Sequence, residues 1–199
     1  MKRIFDIITS FVGLVTISPL LLIASILIKL DSDGPVFYKQ WRIGKGGKRF
    51  RVHKLRTMVQ DADKTGVQIT KANDPRITRI GKLLRRYEID ELPTLINVLK
   101  GDMSIVGPRP EVPKYLWHYD NLKYRDVLSV RPGITDLGTI TFRDEAKYLN
   151  AQNYEEIYEK EILSKKLDLY LEYVHHKSFL FDLRIILKTI ALILKQRKI

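Results

Sequence analysis

Cysteine is absent from the 199 residues. That excludes disulfides, thiolate catalysis and zinc–thiolate sites, and it fits a reducing compartment. Histidine is scarce: His53, His118, His175 and His176 show no metal-ligand spacing, and His175-His176 reads as a solvated pair. Acids number 23 against 35 bases, giving a formal net charge of +12. Such an excess favours polyanions, whether nucleic acid, an anionic leaflet or nucleotide phosphates. No internal repeat, low-complexity tract or clear linker is present. With 45% hydrophobic residues, the chain suffices for one domain with a core and is too short for two large ones.

Residues 4–30, IFDIITSFVGLVTISPLLLIASILIKL, form the most apolar stretch, long enough to cross a bilayer if straight. Asp6 and Lys29 lie near its ends. Ser18-Pro19 falls mid-run, where proline removes a backbone donor and kinks a helix. Basic residues flank both sides: Lys2 and Arg3 before, then Lys29, Lys39, Arg42 and Lys45 after. Positive charge stays cytoplasmic. Both flanks obey that rule if the helix enters one leaflet, breaks at Ser18-Pro19 and leaves on the same face. The expectation is a re-entrant membrane helix over 1–30, with a spanning helix and a buried core helix as alternatives. A cleaved signal peptide is disfavoured by the length of the run and the lack of a cleavage site.

Residues 34–60 hold eight Lys or Arg and no acid. Val36-Phe37-Tyr38 and Phe50-Arg51-Val52 read as short strands around Gly44-Lys45-Gly46-Gly47, which predicts a basic hairpin. Next to a membrane segment such cations press against anionic headgroups, each adding about 1 kcal/mol. Phe37, Tyr38, Trp41 and Phe50 would also suit base stacking, which keeps a nucleic-acid binder as a minor reading. Residues 61–73 read as a polar loop or insert.

The chain is organised around residues 74–113. Leu92, Leu95, Ile96 and Leu99 recur at helical spacing, and Lys100-Gly101 is a stop signal, so a helix is predicted to start at Asp90-Glu91. Asp90 fits the N-cap and Pro93 the first turn, where free N–H groups and the positive dipole end gather. The bland reading is a cap and a solvated acid. Arg85 upstream, and Arg109 downstream in Gly107-Pro108-Arg109-Pro110, instead place two acids between two guanidiniums and point to phosphate chemistry.

Val130-Arg131-Pro132-Gly133 repeats the device of an arginine fixed beside proline in a turn, so Arg131 is a third candidate phosphate ligand. Residues 144–175 read as exposed helices with one apolar face around Ile157, Ile162, Leu167 and Leu171, with nothing catalytic evident. From Phe179, Leu183, Ile186, Leu187, Ile190 and Leu194 recur at helical spacing among cations. This is either a core helix or one lying in the headgroup plane.

The ordered set KRIFDI, Ser18-Pro19, GPVFYKQWRIG, HKLRTM, DPRITRIGKLLR, IDELPTLINVLKGDMSIVGPRP and VRPGIT resembles the bacterial sugar transferases called monotopic phosphoglycosyl transferases, from the first residues to about Thr135. The resemblance implies transfer of a sugar phosphate from a UDP-sugar to undecaprenyl or another polyprenol phosphate. Transfer would occur at the cytoplasmic face of the bacterial inner membrane, release UMP and begin assembly of a surface glycan or glycoprotein sugar, with downstream glycosyltransferases as possible partners and no nucleic acid. By position, the family's nucleophilic aspartate is Asp90, and its neighbouring acid, associated with Mg2+, is Glu91. Lys54, Arg85, Arg109 and Pro110 match positions tied to activity or phosphate binding, and Ser18-Pro19 matches the helix break. After Thr135 the match weakens: many relatives continue with a Gly-Trp-Ala-Gln type sequence where this chain has DLGTITFR, which leaves the sugar open.

The fold expected is therefore α+β and mostly helical. A single membrane-associated domain would comprise the re-entrant helix over 1–30 and a cytoplasmic catalytic domain over 31–199 with interfacial amphipathic helices. The helix N-terminus and nearby guanidiniums would lower the Asp90 pKa. One carboxylate rarely holds magnesium without substrate phosphate and water, so metal and nucleotide should bind together. The contrasting class is a non-catalytic basic scaffold on the membrane, with Asp90 and Glu91 as caps only.

Overall fold

The computed structural model describes residues 1–62, 74–120, 122–142 and 157–196. Helix α1, Lys2–Asp31, is the one helix among them long and apolar enough to cross a membrane, and most of its surface is uncovered by the rest of the chain. It continues through Ser18-Pro19. Pro19 cannot donate to the carbonyl of Val15, and the Ser18 hydroxyl does so instead at 2.8 Å, so the lost backbone bond is replaced locally.

Both ends of α1 are fastened to the same body. At the start, Arg3 donates to the carbonyls of Val98 and Leu99 at 2.6 and 2.9 Å, and Lys2 pairs with Asp182 at 2.5 Å. The buried Asp6 takes hydrogen bonds from the Ser104 hydroxyl and the Ile105 N–H, which explains an acid inside an apolar run. At the far end Ala24 and Ile28 pack with Leu55 and Leu84, and the Asp31 carboxylate accepts from the Ile80 N–H at 2.9 Å.

The expected hairpin is present, and it is longer than its sequence signal. Strands β1, Phe37–Ile43, and β2, Arg49–Leu55, pair antiparallel across a turn in which Gly46 and Gly47 take positive φ. Its inner face carries Phe50 and Val52 against Val98 and Met103. Helix α2, Arg79–Arg86, is capped by the Thr78 side chain. A 3₁₀ turn over Ile89–Thr94 leads into α3, Leu95–Lys100, which ends at Gly101 in the left-handed region as its stop signal requires. The fully buried Asn97 bonds the backbone of His53 and Arg51, locking α3 onto β2.

A second sheet was not apparent in the sequence. Strands β3, Ser104–Val106, and β4, Gly133–Thr135, are parallel, and three-residue strands are too short for a periodicity signal. After β4 come α4, Leu137–Thr141, a π-helical turn at Tyr158–Leu163, α5, Ser164–His176, and α6, Phe179–Gln196. A tyrosine-rich core joins Tyr115, Tyr119 and Tyr124 to Tyr158, Leu163 and Tyr170. Part of the helical reading of 144–175, together with most of the polar loop at 61–73, lies outside the described residues. Helix α6 is helical as expected, with Ile185 in the core and Leu180, Leu187 and Ile190 exposed. The α+β, mostly helical class is as expected.

Candidate active site

Alternation along the hairpin decides which cations point inward. Phe50, Val52 and Lys54 share one face of β2, and Arg42, Gln40 and Tyr38 are their partners on β1. Lys54 and Arg42 therefore project towards the segment carrying the acids. The buried Leu55 ends the strand, and the buried Arg56 and Thr57 follow it.

The acids do not begin an α-helix as anticipated. Glu88 sits in the left-handed region at φ 56°, and Asp90 and Glu91 occupy the first turn of the 3₁₀ segment with Pro93 inside it. Asp90 is thus not an N-cap, and the α-helix proper starts only at Leu95. Pro93 has no N–H to give to an α-helical bond, so the tighter turn is kept there.

Within that turn the two carboxylates have opposite surroundings. Glu91 Oε1 accepts from Lys54 Nζ at 2.6 Å and from Arg109 Nη2 at 2.8 Å, while Oε2 has only a 3.5 Å approach of Arg109 Nη1. Desolvation works to raise the Glu91 pKa, yet Arg109 and Lys54 overcome it and hold the carboxyl well below its ordinary range. Asp90 makes no ion pair among the described residues. Burial, and then the charge of Glu91, push its pKa up, and Lys54 and Arg85 only partly oppose this. The expectation of a lowered Asp90 pKa is corrected: desolvation and a like charge outweigh the guanidinium and the turn N-terminus.

Arg85, in the last turn of α2, donates from Nε to the Thr57 hydroxyl at 2.7 Å. Arg109 lies between prolines whose carbonyls are both engaged, Pro108 by the Gly133 N–H and Pro110 by Arg42 Nη1. The stiff loop is thereby pinned to β4 and β1. Lys54, Arg85, Asp90, Glu91 and Arg109 all line one cavity of about 1600 Å³. Arg131 is not among them: its Nε donates to the Gly101 carbonyl at 2.7 Å, so the proposed third phosphate ligand serves as a backbone clamp here. Pro110 shapes the loop and is likewise off the cavity wall.

Cavity residues that escaped the sequence reading as site residues include Arg42, Thr57 and Lys166. Arg42 could have been found from its strand parity with Lys54. Thr57 and Lys166 carried no signal, since a threonine after a strand and a lysine on a charged helix are ordinary. Around the dyad, four cations (Arg42, Lys54, Arg85 and Arg109) face two carboxylates. That imbalance suits the two negative charges of a diphosphodiester.

A family model described as bacterial sugar transferase matches residues 1–196, and the chain belongs to that family. It is 51% identical over 120 residues to the putative undecaprenyl-phosphate N-acetylgalactosaminyl 1-phosphate transferase of Bacillus subtilis (strain 168), covering 60% of this chain and 67% of that protein. It is 38% identical over 200 residues to the UDP-glucose:undecaprenyl-phosphate glucose-1-phosphate transferase of Xanthomonas campestris pv. campestris, covering 98% of this chain and 39% of the relative. To the UDP-N-acetylgalactosamine-undecaprenyl-phosphate N-acetylgalactosaminephosphotransferase of Aeromonas hydrophila it is 45% identical over 138 residues, 67% of this chain and 32% of that one. The matches therefore span about two thirds of the Bacillus relative, 39% of the Xanthomonas one and 32% of the Aeromonas one.

Proposed function

We propose that this chain transfers a sugar 1-phosphate from a UDP-sugar to undecaprenyl phosphate in two displacements. An oxygen of Asp90 attacks the sugar-bearing phosphorus, the bond from that phosphorus to the bridging oxygen breaks, and UMP leaves with the electron pair. An oxygen of undecaprenyl phosphate then attacks the phosphorus of the aspartyl-phosphosugar, releasing the Asp90 carboxylate and giving the sugar diphospholipid. The observation that carries this reading is the split between adjacent acids. Glu91 is clamped by two cations, whereas Asp90 is left in the cavity without an ion pair among the described residues and with its basicity raised. A more basic carboxylate is a better nucleophile provided it stays ionised.

Glu91 Oε2, which carries only the long contact to Arg109, is the oxygen suited to a magnesium ion. No group of three or more metal-binding acids or histidines exists among the described residues, so the remaining ligands would come from substrate phosphate and water. The ion would offset negative charge on the diphosphate; Lys54, Arg85 and Arg109 neutralise phosphate oxygens from the protein side.

The placement of α1 supports a monotopic, re-entrant arrangement at the cytoplasmic face. Thirty helical residues reach about 45 Å, enough to put the two ends on opposite sides of a bilayer, yet both ends bond the same domain. The exposed apolar residues of α6 would lie in the same interface.

The test is UMP release from a panel of UDP-sugars by detergent-solubilised protein with magnesium, with and without undecaprenyl phosphate, alongside Asp90→Asn. Lipid-dependent turnover that vanishes in the variant supports the reading. Full turnover by the variant removes Asp90 as nucleophile, and membrane binding without UMP release from any sugar favours the scaffold.

A further inference from the structure

The cavity does not end at the acidic pair. Past Arg109 it continues along α4 and α5, where Thr139, Phe142 and Lys166 form its wall. Lys166 is only 6% exposed, and its ammonium lies 5.1 Å from the centre of the Tyr158 ring. Burying an ammonium is costly, and the ring face offsets part of that cost. Tyr158 is itself fixed by donating to Glu111 Oε1 at 3.1 Å.

Helix α4 is held just as firmly. Asp136 caps it, accepting from the Thr139 N–H at 2.8 Å and from the Thr139 hydroxyl at 2.5 Å. Gly138 permits the contact with α5, because a Cβ there would stand 3.0 Å from the Tyr170 ring and 2.8 Å from Asp136 Oδ1. The Tyr170 hydroxyl behind this contact is buried with no hydrogen-bond partner among the described residues. The arm thus joins a cationic donor, a hydroxyl oxygen and an apolar ring, all on supported elements. None of the three is used by the chemistry at Asp90.

Pre-placed polar groups beside an aromatic face are the chemistry that recognises a polyhydroxylated ring, whose edges accept and donate hydrogen bonds and whose C–H faces are apolar. We infer that this arm is a subsite for a polyhydroxylated ring of the donor, with Lys166 donating to ring oxygens and Phe142 supporting the ring face. This deepens the proposed function and rests on the donor being a nucleotide sugar. That donor has two such rings, the hexose and the ribose, and the arms of the experiment separate them.

Binding of UDP-N-acetylgalactosamine, UDP-glucose, UDP, UMP and uridine to the full chain in detergent with magnesium would be measured for wild type, Lys166→Met and Phe142→Leu. The expected result is a loss of about tenfold or more for at least one UDP-sugar in Lys166→Met, the scale of a charged hydrogen bond, and a smaller loss in Phe142→Leu. If UDP, UMP and uridine are unaffected, the hexose occupies the arm; if uridine weakens in parallel, the ribose does. Weakening of UDP and UMP with uridine unchanged would make Lys166 a phosphate ligand and overturn the subsite, as would unchanged binding of every probe. Because binding is read without turnover, a wild type that binds in a Lys166-dependent way but releases no UMP would sink the proposed activity and leave the subsite standing. A wild type that binds none of the probes would overturn both. Lys166→Arg, which keeps the charge and moves the donors, serves as the folded comparison if Lys166→Met fails to fold.

Discussion

Glu91 shares its Oε1 between Lys54 at 2.6 Å and Arg109 at 2.8 Å, while Asp90, the preceding residue, has no such partner among the described residues. Two carboxylates separated by one peptide bond are thereby given opposite electrostatic settings. A clamped acid is a fixed anion, and a desolvated one is a base or nucleophile held at some cost in stability.

Asp90→Asn should therefore separate activity from stability. UMP release is expected to fall by about a thousandfold or more, as for removal of other nucleophiles. The melting temperature should hold or rise, because a raised carboxylate pKa means that the ionised form is disfavoured in the folded state. Parallel turnover and thermal melts would check this; a destabilised variant would show that the Asp90 charge supports the fold.

Glu91→Gln should do the reverse to stability. The folded-state pKa is depressed, so its contribution is present above the unfolded value of about 4.3 and is lost as pH falls through the lower folded value. At pH 7 the variant leaves Lys54 and Arg109 less well compensated, and a loss of about 1–2 kcal/mol, several degrees of melting temperature, is expected. Below about pH 4 the gap between variant and wild type should narrow. A gap independent of pH would mean that the glutamate acts by packing alone.

The pH dependence of the first half-reaction follows from the Asp90 shift. With its pKa raised above the usual value of about 3.9, the Asp90 carboxylate, the proposed nucleophile, is lost as pH falls through that raised value, so the acidic limb of single-turnover UMP release should lie above pH 4. Burst measurements across pH would locate the limb, and a limb at or below the ordinary aspartate value would contradict the desolvated setting.

Thr57 should act on phosphate contact through Arg85. Its hydroxyl accepts from Arg85 Nε at 2.7 Å, so Thr57→Val frees the guanidinium and is expected to lower kcat/KM by about tenfold, whereas Thr57→Ser should retain most activity. Equal damage from both changes would assign the effect to the fit of the buried methyl group instead.

The topology of α1 can be read without a cysteine-free background being built, because the chain has none. Lys2→Cys and Ser32→Cys, examined separately in intact cells, should both resist an impermeant thiol reagent added outside and both react once the membrane is opened. Labelling of one position from outside and not the other would establish a span.

The sequence alone carried the features that depend on residue order. The acids beside Pro93, the Pro-Arg-Pro loop, the turn glycines of the hairpin and the stop at Lys100-Gly101 are local, because backbone sterics and proline geometry act within a few residues. The apolar run with Ser18-Pro19 was equally plain. Tertiary structure decided what depends on summed fields and long-range contact. It sent Arg131 to the Gly101 carbonyl, brought Arg42, Thr57 and Lys166 to the cavity, and reversed the expected Asp90 shift. Burial and the neighbouring Glu91 charge are set by the packing of β2, the 3₁₀ turn and the Arg109 loop, segments far apart in the chain, and desolvation has no counterpart in a linear motif.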